Sequence, residues 1–425
     1  MKVGIIIGRI GDVDGVALET EKWIHILQKM GHEIFILCGR ITKKVVENEH
    51  TTVLPSLSFF SPNCEWEQNR AFFFPPDEPS ELLSHLHVAS DDLAIQMFKW
   101  VMKNNLDVII SENASALPAH LSMGMGIKKL VENTGINIIC HDHDFHWERG
   151  TRYFTPFPEV QKIVEETFPP QIPHARHAVI NTYSKEYLRK NYNIDSVLVP
   201  NVMDFDQPYG VKDEYNKDLL QALNLEKDDI PLFQVTRILR RKGIETALEL
   251  VEKLDNKKIK LVITGSAADD DRKGYYKELI ETINDKKLNG KVIFADHKIR
   301  NDRSQGRNGE KVYSLSDAYA HATACTYFST YEGFGNTFVE VLLAKKPIFV
   351  NNYKPVYWED IGNKGFKTVM IEDSKLTDKT ISEMEKVLYD KKLQKEMADY
   401  NYLLGQTNFS YHVLRERLEA LFYHI

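Results

Sequence analysis

Two glutamates eight residues apart, Glu332 and Glu340, are the residues of this chain best suited to contact a polar ligand from two sides. A short apolar segment ends at Phe328, a glycine-containing turn follows, and an apolar run with helical spacing begins soon after. This order predicts a strand, a tight loop and a helix. The helix is predicted to begin near Asn336 or Thr337, where its first N–H groups have no partner within the helix and attract phosphate.

The loop between the two glutamates predicts how such a phosphate is approached. Gly333 and Gly335 flank Phe334, and glycine lets a backbone come close to a ligand. A carboxylate on each side of a phosphate site suits a ligand with sugar hydroxyls on each side of a diphosphate. The pair alone is also compatible with a paired-carboxylate hydrolase.

A second stretch supplies the cations that a diphosphate needs. A predicted strand runs from Phe233 to Arg237, a turn follows, and a helix is predicted to open near Gly243, directly after Lys242. Arg237 and Lys242 can converge from opposite ends of this loop, and cations of this kind stabilise a departing diphosphate. A solvated cluster of basic residues is the alternative, and the intervening Arg240 and Arg241 are interpreted in that way.

Taken together, these motifs resemble the Glu-x7-Glu and Arg-x4-Lys-Gly signatures of family 4 of the retaining glycosyltransferases with the GT-B fold. The resemblance implies an α/β protein with two Rossmann-like domains that face each other across a cleft. It implies that Arg237 and Lys242 hold the donor diphosphate, Glu332 the donor-sugar hydroxyls and Glu340 the ribose. It also implies front-face attack, in which the departing phosphate accepts the proton, so that neither a metal nor another cofactor is required.

Two further glycines fit the same resemblance. The loop that ends at Gly15 after the first strand resembles the family's glycine loop, whose backbone approaches the phosphates and the acceptor. Gly265, after another strand, resembles a donor-side glycine, with a plain turn as an equal alternative. A dinucleotide fingerprint is disfavoured, because the second strand is followed by Gly39 and Arg40 without the acidic residue that holds a ribose.

The chain also contains a histidine-rich stretch after a strand predicted to begin at Ile136. The family commonly has a functional histidine here, near the transferred sugar, and this position aligns with His143, with His141 as the alternative. His141 and His143 share a face in an extended chain, which suits zinc. The third histidine, His146, is displaced from the metal-dependent hydrolase pattern by Phe145, so no metal is predicted.

Charged residues near these histidines predict an anionic acceptor. Arginine suits planar recognition of a carboxylate, and Arg149 and Arg152 lie three residues apart. They are predicted to bind the acceptor together with His141 and Asp144, with surface salt bridges as the alternative for the arginines.

The predicted function is retaining transfer of a hexose, glucose or mannose, from a nucleotide diphosphate sugar to a hydroxyl of a small soluble acceptor. Acceptors of this kind include an anionic sugar or sugar acid such as a glycerate-type precursor of a compatible solute. The alternatives are a nucleotide-sugar 2-epimerase of GT-B fold, a transferase directed to lipid or polysaccharide, and a non-catalytic sugar-nucleotide binding protein.

The composition of the chain limits which partners and which cellular compartment are expected. The chain has 425 residues, and 54 basic against 61 acidic residues without a basic block disfavour a nucleic-acid partner. The four scattered cysteines predict free thiols in a reducing, cytoplasmic compartment. No integral membrane segment is predicted, and the chain is expected to be a monomer or homodimer.

The chain is predicted to form two domains, residues 1–205 on the acceptor side and residues 206–405 for the nucleotide sugar. Residues 406–425 are predicted to form a terminal helix that packs back on the first domain.

Overall fold

The computed structural model describes residues 1–11, 14–173, 175–266, 274–306 and 309–425. Part of the predicted glycine loop, Asp12 and Val13, lies outside the described residues. Contacts divide the chain into two units, Met1–Asn201 with Tyr411–Ile425, and Val202–Ser410. Within the described ranges, no helix combines the length and the apolar content needed to cross a membrane.

The first unit is a seven-stranded parallel sheet in the order β3-β2-β1-β4-β5-β6-β7, with helices between its strands. Its strands are β1 (Lys2–Ile7), β2 (Glu33–Cys38), β3 (Thr51–Val53), β4 (Val108–Glu112), β5 (Asn137–Asp142), β6 (Ala175–Val179) and β7 (Ser196–Leu198). Its helices between strands are α1 (Gly15–Lys29), α2 (Pro62–Gln68), α3 (Ser80–Asn104), α4 (Leu121–Thr134), α5 (Pro158–Thr167) and α6 (Thr182–Tyr192). The central strands are nearly continuous apolar runs, as is typical of parallel sheets covered on both faces.

The second unit repeats this architecture with a six-stranded parallel sheet in the order β10-β9-β8-β14-β15-β16 and a small sheet in the order β11-β13-β12. Its strands are β8 (Ile230–Gln234), β9 (Ile259–Ile263), β10 (Val292–Phe294), β11 (Ile299–Arg300), β12 (Ser304–Gln305), β13 (Lys311–Ser314), β14 (Ala324–Tyr327), β15 (Ile348–Asn351) and β16 (Val369–Ile371). Its helices are α7 (Leu219–Ala222), α8 (Ile244–Leu254), α9 (Tyr275–Asp285), α10 (Leu315–His321), α11 (Asn336–Leu343), α12 (Val356–Asp360), α13 (Asp378–Tyr389) and α14 (Lys391–Phe409). Two Rossmann-like α/β units therefore confirm the predicted fold class.

The last helix, α15 (Tyr411–Phe422), belongs to the first unit. Its apolar stripe, Leu414, Leu418 and Leu421, is buried. Arg176 of β6 donates hydrogen bonds to the carbonyl oxygens of Leu421 (2.6 Å) and Tyr423 (2.7 Å). Because carbonyls at the end of a helix have no intrahelical donor, these bonds anchor the helix end to the sheet.

The proline-rich segment 55–80 is largely helical. It contains α2, which continues directly into a π-helical turn at Asn69–Phe73. Pro62 is the first residue of α2, a position where its fixed φ favours the helix and its missing N–H costs nothing. The hydroxyl of Ser61 accepts from the Cys64 amide (3.2 Å) and caps the same end.

Shortening Leu418 tests the contribution of the terminal helix. Leu418→Ala is expected to lower the free energy of unfolding by about 2–5 kcal/mol, because it leaves a cavity under α15. Arg417→Ala, at an exposed position of the same helix, is the matched control and is expected to change stability by less than about 0.5 kcal/mol. Urea-induced unfolding measures both values, and equal small effects would contradict the packing of α15 described above.

Candidate active site

A buried carboxylate between two cations forms the centre of the site in the second unit. Glu332, in the loop after β14, accepts from the Nζ of Lys242 at 2.5 Å and from the Nη1 of Arg241 at 2.8 Å. Arg241 also donates to the carbonyl oxygen of Tyr331 at 3.0 Å. The structure therefore brings together two motifs that lie 90 residues apart in the chain.

The charges of this cluster depend on one another. Burial opposes the charge of Glu332, but Lys242 and Arg241 outweigh it and lower the pKa of the carboxyl below its ordinary value. Burial lowers the pKa of Lys242, whose ammonium is held in place by the carboxylate. The sequence predicts that Arg241 belongs to a solvated cluster, and this prediction is wrong because its guanidinium reaches Glu332. Arg240 does pair on the surface, with Glu278.

A glycine explains how Lys242 reaches Glu332. Lys242 ends a single 3-10 turn, and Gly243 follows with a φ of +61° before α8 begins. A Cβ at Gly243 would lie 2.0 Å from the carbonyl oxygen of Phe328, at the end of β14. Only glycine allows the loop after β8 to lie this close to the end of the neighbouring strand.

Gly265, predicted on the donor side, lies against the loop that carries Arg237. A Cβ at Gly265 would lie 2.0 Å from the carbonyl oxygen of Thr236 and 2.5 Å from the Cα of Arg237. Gly265 thus lets the loops after β8 and β9 pack together. Arg237 is exposed, and its charge acts on Lys242, since it contributes to lowering the pKa of that ammonium.

The predicted phosphate loop leads into α11, which begins at Asn336 as the sequence predicts. Gly335 has a φ of +136°, and a Cβ there would lie 2.2 Å from the hydroxyl of Tyr353. That hydroxyl donates to the carbonyl oxygen of Phe334 at 2.7 Å and fixes the loop. The side chain of Phe334 is 3% exposed and packs edge-on against Phe409, so it leaves only backbone for a ligand.

Three other predicted donor residues have defined places. Glu340, on the second turn of α11, accepts from the buried hydroxyl of Tyr319 at 2.8 Å. Thr337, at the start of the same helix, donates to the carbonyl oxygen of Val235 beside the Arg237 loop (3.3 Å). Gly333 is half-buried between Glu332 and Phe334. The contact of Thr337 thus joins the start of α11 to the residue that follows β8.

In the first unit, α1 begins at the predicted glycine. Gly15 is the first residue of α1, and no described atom lies within 4 Å of the position that a Cβ would take. The Oδ1 of Asp14 caps the helix by accepting from the amides of Val16 and Ala17, both at 3.1 Å. Asp14 therefore provides the side-chain acceptor that caps α1, and Gly15 beside it has free space around its Cα.

The histidine stretch surrounds a carboxylate that the sequence analysis missed. Glu112, the last residue of β4, is the register partner of His141 in β5. Its Oε2 lies 2.9 Å from the Nδ1 of His141 and 3.8 Å from the Nε2 of His143. Trp23 stacks on the ring of His141 at 3.9 Å between centroids. The sequence does contain a signal for Glu112, since an acidic residue at the end of a buried strand is a candidate functional residue.

Burial and charge distinguish these three residues. Glu112, His141 and His143 are 0%, 1% and 7% exposed, so His143 is the more accessible imidazole. Burial opposes the charge of Glu112, but the attraction of His141 and His143 lowers the pKa of this carboxyl to about 2. Burial lowers the pKa of His141. The ligand atoms of all three residues lie within 4.8 Å of one another, so they are the residues here that can hold a metal.

A second missed residue, Asn113, connects the acceptor candidates. Its Oδ1 accepts from the backbone amide of His143 (3.0 Å), and its Nδ2 donates to Asp144 (2.9 Å). Asp144 also forms an ion pair with Arg149, whose side chain is half exposed. Arg152 lies apart from this group, with its guanidinium 5.5 Å from the ring of Phe73. The structure thus brings His143, Asp144 and Arg149 together and leaves Arg152 among aromatic side chains.

Comparison with known proteins places the chain in a family. The model of the family described as "Glycosyl transferases group 1" matches residues 216–403, which include both donor motifs. Mannosylglucosylglycerate synthase of Thermotoga maritima is 31% identical over 99% of this chain and 98% of its own length. The enzyme of the same name from Petrotoga mobilis is 31% identical over 87% of this chain and 86% of its own.

The chain belongs to the group 1 glycosyltransferases. The solved structure of a glycosyltransferase from Rickettsia africae ESF-5 superposes with a TM-score of 0.69 at 14% identity, over 99% of this chain and 97% of the other. Its likeness concerns the fold. The prediction of a glycosyltransferase of GT-B fold is confirmed, and the roles assigned to individual residues stay predictions.

Removing one charge of the buried pair in this glycosyltransferase tests the site's geometry. Glu332→Gln is expected to lower the free energy of unfolding by about 3–5 kcal/mol, because it leaves the buried ammonium of Lys242 without its partner. Lys242→Met combined with Glu332→Gln is expected to cost less than the sum of the two single changes. Urea-induced unfolding of the single and double variants gives the coupling energy.

The matched control is the Arg240→Met and Glu278→Gln cycle in the same unit. Both side chains of this pair are exposed to solvent, which screens their attraction. A weak coupling energy is therefore expected. Equal coupling in the two cycles, or strictly additive losses for Lys242 and Glu332, would contradict the buried ion pair.

Proposed function

We propose that this glycosyltransferase transfers a hexose, mannose or glucose, from a nucleotide diphosphate sugar to a hydroxyl of a small anionic acceptor of the glycerate type, with retention of configuration. The observation that carries the proposal is similarity over nearly the whole chain to two enzymes named for the synthesis of mannosylglucosylglycerate. The half-exposed Arg149 supports an anionic acceptor, since a guanidinium suits a carboxylate.

On the donor side, we propose that the ion pair between Lys242 and Glu332 separates when the sugar nucleotide binds. Arg237 and Lys242 bind the diphosphate, and Lys242 exchanges Glu332 for a phosphate oxygen. Glu332 then accepts hydrogen bonds from the donor-sugar hydroxyls, and Glu340 from the ribose. Cations already in place stabilise the negative charge that develops on the leaving diphosphate without a large reorganisation.

The bond changes balance without a side-chain base. The acceptor oxygen forms a bond to the anomeric carbon on the face from which the diphosphate departs. The bond from that carbon to the phosphate oxygen breaks, and the departing phosphate takes the acceptor's proton. The donor site therefore needs no metal in this proposal, and Glu332 and Glu340 act as hydroxyl ligands.

On the acceptor side, Arg149 binds the carboxylate of the acceptor, and Asp144 and Asn113 hold the segment in place. The imidazole of His143 binds a donor-sugar hydroxyl or the reacting edge of the acceptor.

The four cysteines are free and buried, which supports the expected cytoplasmic location. The choice between monomer and homodimer stays a prediction.

A donor and acceptor screen tests the proposal. Thermal shift with UDP- and GDP-linked glucose and mannose is expected to show stabilisation by one sugar nucleotide, because a ligand that binds the folded state raises its melting temperature. Mass analysis of reactions with glycerate and glucosylglycerate is then expected to show addition of one hexose. The absence of a shift with every nucleotide and sugar nucleotide would contradict the proposal, and epimerised donor without acceptor would favour the 2-epimerase.

Arg149→Ala is expected to raise the acceptor KM by about 10–100-fold with little change in the donor KM, because a charge-assisted hydrogen bond contributes about 1.5–3 kcal/mol. Arg189→Ala, at an exposed position of α6 in the same unit, is the matched control. Steady-state kinetics with each substrate varied in turn measures the effect. An equal rise in both KM values would exclude a direct contact with the acceptor.

A further inference from the structure

The cluster of Glu112, His141 and His143 offers three ligand atoms that lie within 4.8 Å of one another. A tetrahedral zinc site with bonds of about 2.0–2.1 Å places its ligand atoms about 3.3 Å apart. The Oε2 of Glu112 lies 2.9 Å from the Nδ1 of His141 and 3.8 Å from the Nε2 of His143, so the two distances bracket that value. We propose that these three residues bind one divalent transition-metal ion, with zinc as the ion that the ligand set suits best.

Two unpartnered atoms point to the ion independently of the spacing. The Oε1 of Glu112 and the Nε2 of His143 are buried and have no hydrogen-bond partner among the residues that the structure describes. A buried polar atom without a partner is costly, and a buried carboxylate more so. A proton on His143 does not resolve this, because 3.8 Å exceeds the 2.7–3.2 Å of an ordinary N–H···O bond. A cation among the three side chains gives the Nε2 of His143 a partner and balances the charge of the carboxylate to which Oε1 belongs.

The surroundings hold the ligands as a metal site requires. Trp23 stacks on His141 at an interplanar angle of 20° and restrains its ring. Asn113 accepts from the backbone amide of His143 and fixes the segment after β5. Partners of this kind set the orientation of metal ligands and strengthen binding. Two imidazoles and one carboxylate leave a fourth position of a tetrahedral ion for an oxygen ligand, and His143 is the ligand nearest to solvent.

The third ligand explains why the sequence predicts no metal. The sequence pattern offers a third histidine, His146, at the wrong spacing, whereas the structure supplies Glu112 from the neighbouring strand β4. The ion binds the neutral form of each imidazole, so protons compete with it and affinity is expected to fall as the pH is lowered. With its Nε2 on the ion, His143 keeps its Nδ1 for the substrate contact proposed above, so the metal site does not depend on which sugar and acceptor the enzyme uses.

Metal analysis of the whole protein, expressed without a polyhistidine tag, tests the proposal. After incubation with Zn²⁺ and gel filtration, elemental analysis is expected to find one ion per chain. Glu112→Gln and His143→Gln are expected to lose it. His146→Gln, a change in the same stretch but outside the cluster, is the matched control and is expected to retain it. With Co²⁺, wild type is expected to show the visible absorption of a four-coordinate site.

Folded wild type that remains free of metal after incubation, or equal binding by wild type and Glu112→Gln, would overturn the proposal. If the variants fail to fold, X-ray absorption of the zinc-loaded wild type decides by itself. Scattering from two imidazole ligands supports the site. Scattering that shows one imidazole or none places the ion elsewhere and contradicts it.

Discussion

The donor side of the structure depends on the ion pair between Lys242 and Glu332. It connects the loops that follow β8 and β14, which are neighbouring parallel strands. Gly243 makes this connection possible, since any side chain there would meet the backbone of Phe328. A buried ion pair adds little net stability, because the loss of hydration offsets the attraction. We therefore infer that the pair is retained for ligand binding, in which each charge finds another partner.

In the first unit, too, the candidate functional residues follow the carboxyl ends of neighbouring parallel strands, but their chemistry differs. The carboxyl ends of parallel strands lie at one edge of the sheet, where ligands bind in open α/β sheets. At this edge β4 ends at Glu112 and is followed by Asn113, and β5 leads into His143 and Asp144. The result is a carboxylate and two imidazoles in one place, beside an arginine suited to an anion.

The sequence predicts well whatever depends on local spacing. The strand–loop–helix around Glu332, the start of α11 and the terminal helix follow from periodicity and from glycine positions. Arg241 and Glu112 were missed because their contacts depend on which strands are neighbours and in what register. Pro62 shows that a proline in the sequence does not by itself exclude a helix, because at the first helical position it favours the helix.

The central claim is that Glu332 and Glu340 bind hydroxyls while the departing diphosphate takes the proton, so that transfer retains configuration. Proton NMR of the anomeric signal of the purified product tests this most directly. The account predicts a glycosidic bond of the same anomeric configuration as the sugar nucleotide consumed. A product of inverted configuration would contradict it, because inversion requires attack from the opposite face with a side-chain base.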